Sequence, residues 1–190
     1  MIIGPLRMTA PPLLPRTVLT LDIEASGLGP DAWPIEVGVA IVEDDAVILC
    51  ESRLIRPHPG WREEGWAEDS AAVHGIPRAS LDDAPPAGEV AAWLLGLLGG
   101  RRAWSDAPMH DRRWLDTLTC AAGHGPGAVR LDDYDRALFG VFGEDTRGQA
   151  AVRAAWLHLD RTPVAHRAAA DARLLAEGYL AGRRALAGRV

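Results

Sequence analysis

Four carboxylates and one histidine stand in this chain where a fold would ordinarily want apolar residues. They arrive in three separated clusters: Asp22 and Glu24 within Leu21-Asp22-Ile23-Glu24, Asp111 within His110-Asp111-Arg112-Arg113-Trp114-Leu115, and His166 with Asp171 within His166-Arg167-Ala168-Ala169-Ala170-Asp171. A carboxylate withdrawn from water is costly unless it is paired or binds metal. A fold that gathers four of them therefore needs positive charge between them, and divalent cations, which prefer oxygen ligands, supply it.

Local periodicity gives each cluster a setting. Thr17 to Glu24 is β-branched and apolar, which predicts a strand. Side chains two apart on a strand share a face, so Asp22 and Glu24 point one way while Leu21 and Ile23 point the other. The plain alternative is the polar face of an edge strand. Ala25-Ser26-Gly27-Leu28 then reads as a tight turn of small residues. Asp111 precedes Trp114, Leu115 and Leu118 at i+3, i+4 and i+7, which sets it on the core-facing stripe of a helix. An ordinary first-turn aspartate favoured by the helix dipole is the alternative there. Asp106, a rival candidate shortly before Pro108, reads as a turn or cap residue. Asp171 lies three and four residues before Leu174 and Leu175, again on an apolar face. His166, five residues earlier, falls off that face and onto the loop leading into the helix. An imidazole there, titrating in the neutral range, suits a general base; a surface histidine is the alternative.

The rest of the chain reads as one domain. Its 190 residues can bury a substantial core, and apolar (48%) and charged (24%) shares near globular averages exclude disorder. Residues 1–16 read as a loose leader, 17–182 as the domain and 183–190 as a C-terminal tail. Pro5, Arg7, Pro11, Pro12 and Pro15 interrupt the apolar centre a signal peptide requires, and Met8 offers an alternative start. No run approaches the roughly 18 apolar residues of a membrane span. Further strands are predicted over Ile35 to Glu43 and Ala46 to Ile55, joined by a turn at Asp44-Asp45, then at Arg102 to Ser105 and Val129 to Leu131. Helices are predicted over Glu89 to Leu98, Met109 to Ala122, Asp133 to Phe142, Gln149 to Leu159 and Arg167 to Ala181. Arg56 to Pro86 is irregular. This order predicts an α/β sheet covered by helices.

Other residue types narrow the function classes. Cys50 and Cys120 show neither metal spacing nor a disulfide framework, and read as buried free thiols in a reducing cytoplasm. The net charge is −6, and all 20 basic residues are arginine. Proteins that capture long duplexes by general attraction are usually basic, which disfavours that class. A short substrate held through metal remains compatible, because two divalent ions would cancel four carboxylates. Trp93, Trp114 and Trp156 are expected in the core. Trp33, Trp61 and Trp66 fall in loops, where packing is favoured over stacking on bases. The pairs Arg101-Arg102 and Arg112-Arg113 are candidates for phosphate contacts, with solvated helix ends as the default.

Taken together and in this order, the clusters resemble the DEDDh 3′–5′ exonucleases of the ribonuclease H-like superfamily, which includes polymerase proofreading subunits, ribonuclease T and oligoribonuclease. The resemblance runs from about Thr17 to Tyr179. It is carried by Leu21 to Leu28, by Trp33-Pro34-Ile35-Glu36-Val37-Gly38, by Val73-His74-Gly75-Ile76, by Ser105 to Leu115, and by His166 through Ala172 with the family's five-residue offset. Two places depart from the family pattern. Asp106 and His110 stand where an asparagine and a large apolar residue are usual, which puts the substrate contacts there in question.

The resemblance implies a ribonuclease H-like α/β fold, with a mixed five-stranded central sheet flanked by helices. It implies that Asp22, Glu24, Asp111 and Asp171 hold two Mg²⁺ or Mn²⁺ ions. One ion would activate a water and the other would stabilise the leaving 3′ oxygen. His166 would be the general base, nucleoside 5′-monophosphates the product, and Ser26, Gly27 and Leu28 the contacts to the terminal nucleotide, with Leu28 wedged against its base. The implied partners are single-stranded DNA or RNA 3′ ends, with the acidic charge favouring short oligonucleotides; a homodimer, as in several family members, is compatible. RNA and DNA are not distinguished by these motifs, which carry no visible 2′-hydroxyl contact. Two other readings stand beside this one: a catalytically silent binding or interaction module on the same fold, and a carboxylate-metal hydrolase acting on small phosphoesters.

Overall fold

The computed structural model describes residues 14–188; the greater part of the expected leader, with Met8, lies outside them. Strands β1 (Thr17–Ala25), β2 (Pro34–Glu43) and β3 (Ala46–Leu54) form an antiparallel meander, turning at Asp44 with φ 49°. Helices α1 (Glu68–His74) and α2 (Ala87–Leu98) lead to β4 (Arg102–Ser105), then α3 (Pro108–Cys120), β5 (Arg130–Asp133), α4 (Tyr134–Phe142), α5 (Thr146–Arg161) and α6 (Ala168–Leu186). The sheet order is β3-β2-β1-β4-β5, with β4 parallel to β1 and β5 parallel to β4. The expected mixed five-stranded sheet flanked by helices is therefore present. Among the described residues no helix is long and apolar enough to cross a membrane.

Period-two alternation divides the core into two layers. Leu19, Leu21, Ile23 and Ala25 of β1 join Val37, Val39 and Ile41 of β2 under α2 and α3, with Trp114, Leu115 and Leu118 facing them. Val18 of β1 and Ala40 and Val42 of β2 face the opposite way, into a cluster with α4, α5 and α6. Small residues let α6 lie close to the sheet. Ala168, Ala172 and Ala176 recur every four residues and are fully buried, and the Thr20 hydroxyl donates to the Ala172 carbonyl at 2.6 Å.

One buried carboxylate fastens the N-terminus of α6. Glu36 is 1% exposed and accepts from Arg167 Nε (2.9 Å) and Nη2 (3.0 Å), from the Ala168 N–H (3.2 Å) and from the Ser52 hydroxyl (2.7 Å). Burial alone would raise the pKa of Glu36, but the bonds from Arg167 and Ser52 outweigh it and hold the group below its ordinary value. Two residues along the same face, Gly38 leaves the space this docking needs: a Cβ there would lie 2.1 Å from the Ala168 carbonyl carbon.

Several expectations are corrected. The stretch 56–86 contains α1 and 3₁₀ turns at 63–65 and 78–81, elements too short to show a period. Helix α6 continues to Leu186, past the predicted helix end at Ala181, where Arg183 donates to the Asp44 carbonyl and pairs with Asp45. Just before β1, Leu14 packs on the core and the Arg16 carbonyl accepts from the Asp44 N–H. Trp156 is 40% exposed: α5 packs through Ala151, Val152 and Ala155, and Trp156 turns outward onto Phe139 with its N–H donated to Asp135. Cys120 is exposed and Cys50 half-buried, both free. Trp33 is buried, stacked on Trp61 and tilted against Trp66 at centroid distances of 5.9 and 6.0 Å, which is the packing role favoured above.

Gly38→Ala should force α6 off the sheet, costing about 3 kcal/mol. Thermal denaturation should show a Tm lower by roughly 6–12 °C. An unchanged Tm would mean that the close approach of α6 to β2 is not required.

Candidate active site at the ends of two parallel strands

The site forms where β1 and β4 end side by side. Thr20 is paired with Trp104, so continuing two residues along each strand brings Asp22 level with Asp106, just past the last residue of β4. In α/β sheets such carboxyl ends are where ligands collect, because the chain there leaves the ladder and loops away. Pro108 then opens α3, which it can do without loss since the first helical N–H has no partner anyway. The first turn of α3 brings Asp111 back beneath the strand ends. Asp111 is 1% exposed and accepts from the Ser105 hydroxyl, which itself accepts from the Ala107 N–H at 3.1 Å.

The docked end of α6 supplies the remaining groups. Asp171, in the first turn, accepts from the Ala165 N–H (3.1 Å) and the Arg167 N–H (3.2 Å). These two bonds straddle His166, which is exposed and adopts φ 51°, a left-handed conformation rare for a side chain of this size. His166 is thereby held on the loop leading into α6, in the wall of a cleft of about 550 Å³ that Asp22, Glu24, Asp106 and Asp171 also line.

Ligand-bearing oxygens converge in two groups of three. Asp22, Glu24 and Asp171 each offer an oxygen within 4.8 Å of the others, as do Asp22, Asp106 and Asp111. Both Asp111 and Asp171 thus come within ligand reach of Asp22, which belongs to both groups. Asp106, read from sequence as a turn or cap residue, belongs to the second group. The signal that would have revealed it is the β1–β4 register, which no local pattern encodes.

Electrostatics mark the cluster as incomplete. No arginine forms an ion pair with any of these five acids among the described residues. Asp22 is pushed well above the usual carboxylate range, first by burial, then by Asp111, Glu24, Asp106 and Asp171. Glu24 rises from 4.5 to about 7 by burial, with Asp171 and Glu36 adding to it and Arg167 opposing. Asp111 rises from 3.8 to about 7 by burial, against the bond from Ser105. All the clustered ligands are carboxylate oxygens, with no thiolate or imidazole, a donor set that fits hard cations such as Mg²⁺ and Mn²⁺.

The turn after β1 divides its labour. The Ser26 hydroxyl donates to the Gly65 carbonyl (2.9 Å) and accepts from the Trp33 N–H (2.9 Å), while the Ser26 N–H donates to the Trp33 carbonyl (2.8 Å). Its polar groups are spent inside the protein, so any contact from this turn to a ligand falls to Gly27 and Leu28. Leu28 is 72% exposed, its carbonyl meets Arg113 Nη2 at 3.4 Å, and with Gly27, Glu24, Val73, His74 and Trp114 it lines a cavity of about 300 Å³ beside the acids. Arg112 meets the Leu131 carbonyl at 2.8 Å.

No protein-family model matches the sequence, and no curated protein is significantly similar to it. Solved structures share its fold. E. coli exonuclease I in a zinc-bound complex with single-stranded DNA superposes with a TM-score of 0.64 at 17% identity, over 88% of this chain and 40% of that one. A 3′-exonuclease solved in a study of 3′-end recognition of a histone mRNA stem-loop gives 0.64 at 14% identity, over 91% of this chain and 64% of that one. A full-length 3′-exonuclease gives 0.65 at 14% identity, over 95% and 64%. The chain spans about 40% of the length of exonuclease I. At these identities the likeness is one of fold, and the fold is the ribonuclease H-like α/β architecture implied by the motifs.

Folded, the cation-free chain keeps protons on Glu24 and Asp111 up to about pH 7, whereas the ordinary values are 4.5 and 3.8. The native state then binds more protons than the unfolded state across that window, so stability falls as pH rises through it. Cations that replace those protons should act mainly above it. In calorimetry, Mn²⁺ should raise the Tm by on the order of 5 °C at pH 8 and much less at pH 5. A Mn²⁺ effect that is absent, or equal at both pH values, would overturn the reading of this cluster as a cation site.

Proposed function

We propose that this protein is a metal-dependent 3′–5′ exonuclease that releases nucleoside 5′-monophosphates from single-stranded DNA or RNA ends. The observation that carries the reading is the pair of three-carboxylate groups sharing Asp22, with His166 in the wall of the same cleft. The fold shared with exonuclease I and 3′-exonucleases supports it. Asp22, Glu24, Asp111 and Asp171 are the proposed cation ligands. Two Mg²⁺ or Mn²⁺ ions bound there would activate the attacking water and offset charge developing on the phosphodiester.

His166 is the proposed general base. Its exposure lets it pass a proton to solvent after taking one from the water, and the two N–H bonds that flank it onto Asp171 fix its loop relative to the acids. Leu28 and Gly27 are the proposed contacts to the terminal nucleotide, whose base would occupy the mainly apolar cavity beside Glu24. A net charge of −6 gives long polymers no general attraction, which favours short oligonucleotides. The competing reading, a silent binding module, is disfavoured because each proposed catalytic position carries a group able to perform its step.

End-labelled RNA and DNA oligonucleotides incubated with Mn²⁺ should give ladders from the 3′ end. His166→Ala should slow this roughly 10²–10⁴-fold while leaving the melting curve unchanged. Binding without cleavage would favour the module, hydrolysis of model monoesters alone would favour a small-phosphoester enzyme, and full turnover by His166→Ala would remove the base assignment.

A further inference from the structure

We propose that Asp106 is a fifth cation ligand, the third carboxylate of the site that Asp22 shares with Asp111. The inference rests on the metal-dependent reading above and extends it to a residue that the sequence motifs leave out. Its geometric basis is that Asp106, Asp22 and Asp111 bring carboxylate oxygens within 4.8 Å of one another, while Glu24 and Asp171 group separately around Asp22.

Two further observations point the same way. Asp111 is buried at 1% exposure with one oxygen occupied by Ser105, and among the described residues nothing hydrogen-bonds to the other. A buried carboxylate with an open oxygen needs a donor or a cation, and among the described residues no arginine pairs with it. Asp106, in turn, stands in the bend between β4 and α3 but does not cap the helix. The N-cap of α3 is Ala107, with no side-chain cap bond, and Asp106 lies in the wall of the cleft that His166 and Asp171 line.

Without Asp106 the second site would have two carboxylates, one of them shared with the first site and the other holding a serine hydroxyl. With it, each site has three. Such a ligand set carries more negative charge than Asp22, Glu24, Asp111 and Asp171 alone, and hard divalent cations bind more tightly as ligand charge rises.

The test is Mn²⁺ uptake by the full chain, followed by electron paramagnetic resonance of the free ion, for the wild type, Asp106→Asn and Asp106→Glu. Asparagine keeps the size and removes the charge. It should weaken at least one binding event about 10- to 100-fold, with glutamate restoring part of the loss. Melting supplies a readout that a merely structural role would not give. Cation-free Asp106→Asn should melt above the wild type, because one repelling charge is gone, and Mn²⁺-loaded Asp106→Asn should gain less from the ion. Uptake by Asp106→Asn indistinguishable from wild type would overturn the inference and leave the exonuclease reading standing. A wild type that binds no Mn²⁺ would overturn both.

Discussion

The attachment of α6 to β2 through Glu36 is the interaction on which the rest of the site depends. Asp171 and His166 reach the strand ends because the start of α6 is held against the sheet by three hydrogen bonds to one carboxylate, over the gap left by Gly38. A helix end has free N–H groups that need partners. Here a strand residue supplies one such partner, and Asp171 supplies others by accepting from the loop on both sides of His166. The same bonds that finish the helix position Asp171 and His166.

Glu36 also shows by contrast what the clustered acids lack. It is as buried as Asp111, yet the protein surrounds it with donors and its pKa falls below the ordinary value. Asp111, buried with a single bond from Ser105, and the half-buried Asp22 and Glu24 have no such set of donors, and their pKa values rise. One chain thus satisfies one buried carboxylate with its own arginine and leaves the clustered acids without such a partner. Among the described residues no arginine forms an ion pair with any of the five clustered acids; Arg167, which acts on Glu24 from a distance, is paired with Glu36 instead.

Much of this was legible in the chain. Strand alternation set Asp22 and Glu24 on one face, and the apolar stripes of Trp114-Leu115-Leu118 and Leu174-Leu175 set Asp111 and Asp171 on inward faces, because periodicity is local and burial follows it. The tryptophans at 33, 61 and 66 read as packing and do pack. What failed was of another kind. Trp156 looks like a core residue by type, and only the choice of which α5 face meets α6 turned it outward. Helix α1, seven residues long, offers too few turns to show a period. Ser26 sits in a motif segment, yet its polar groups serve the loop around Trp33 and Gly65.

The sequence by itself determined which residues could bear chemistry and which faces they occupy, since these follow from side-chain type and local repeat. Only the tertiary structure decided that Asp106 stands beside Asp22, that Glu36 and Gly38 serve the far helix, and that the acids divide into two groups around one shared member. Those facts depend on the register of parallel strands joined through a long crossover and on contacts more than 130 residues apart. No short-range pattern carries that information, because pairing across such distances is set by the packing of the whole sheet.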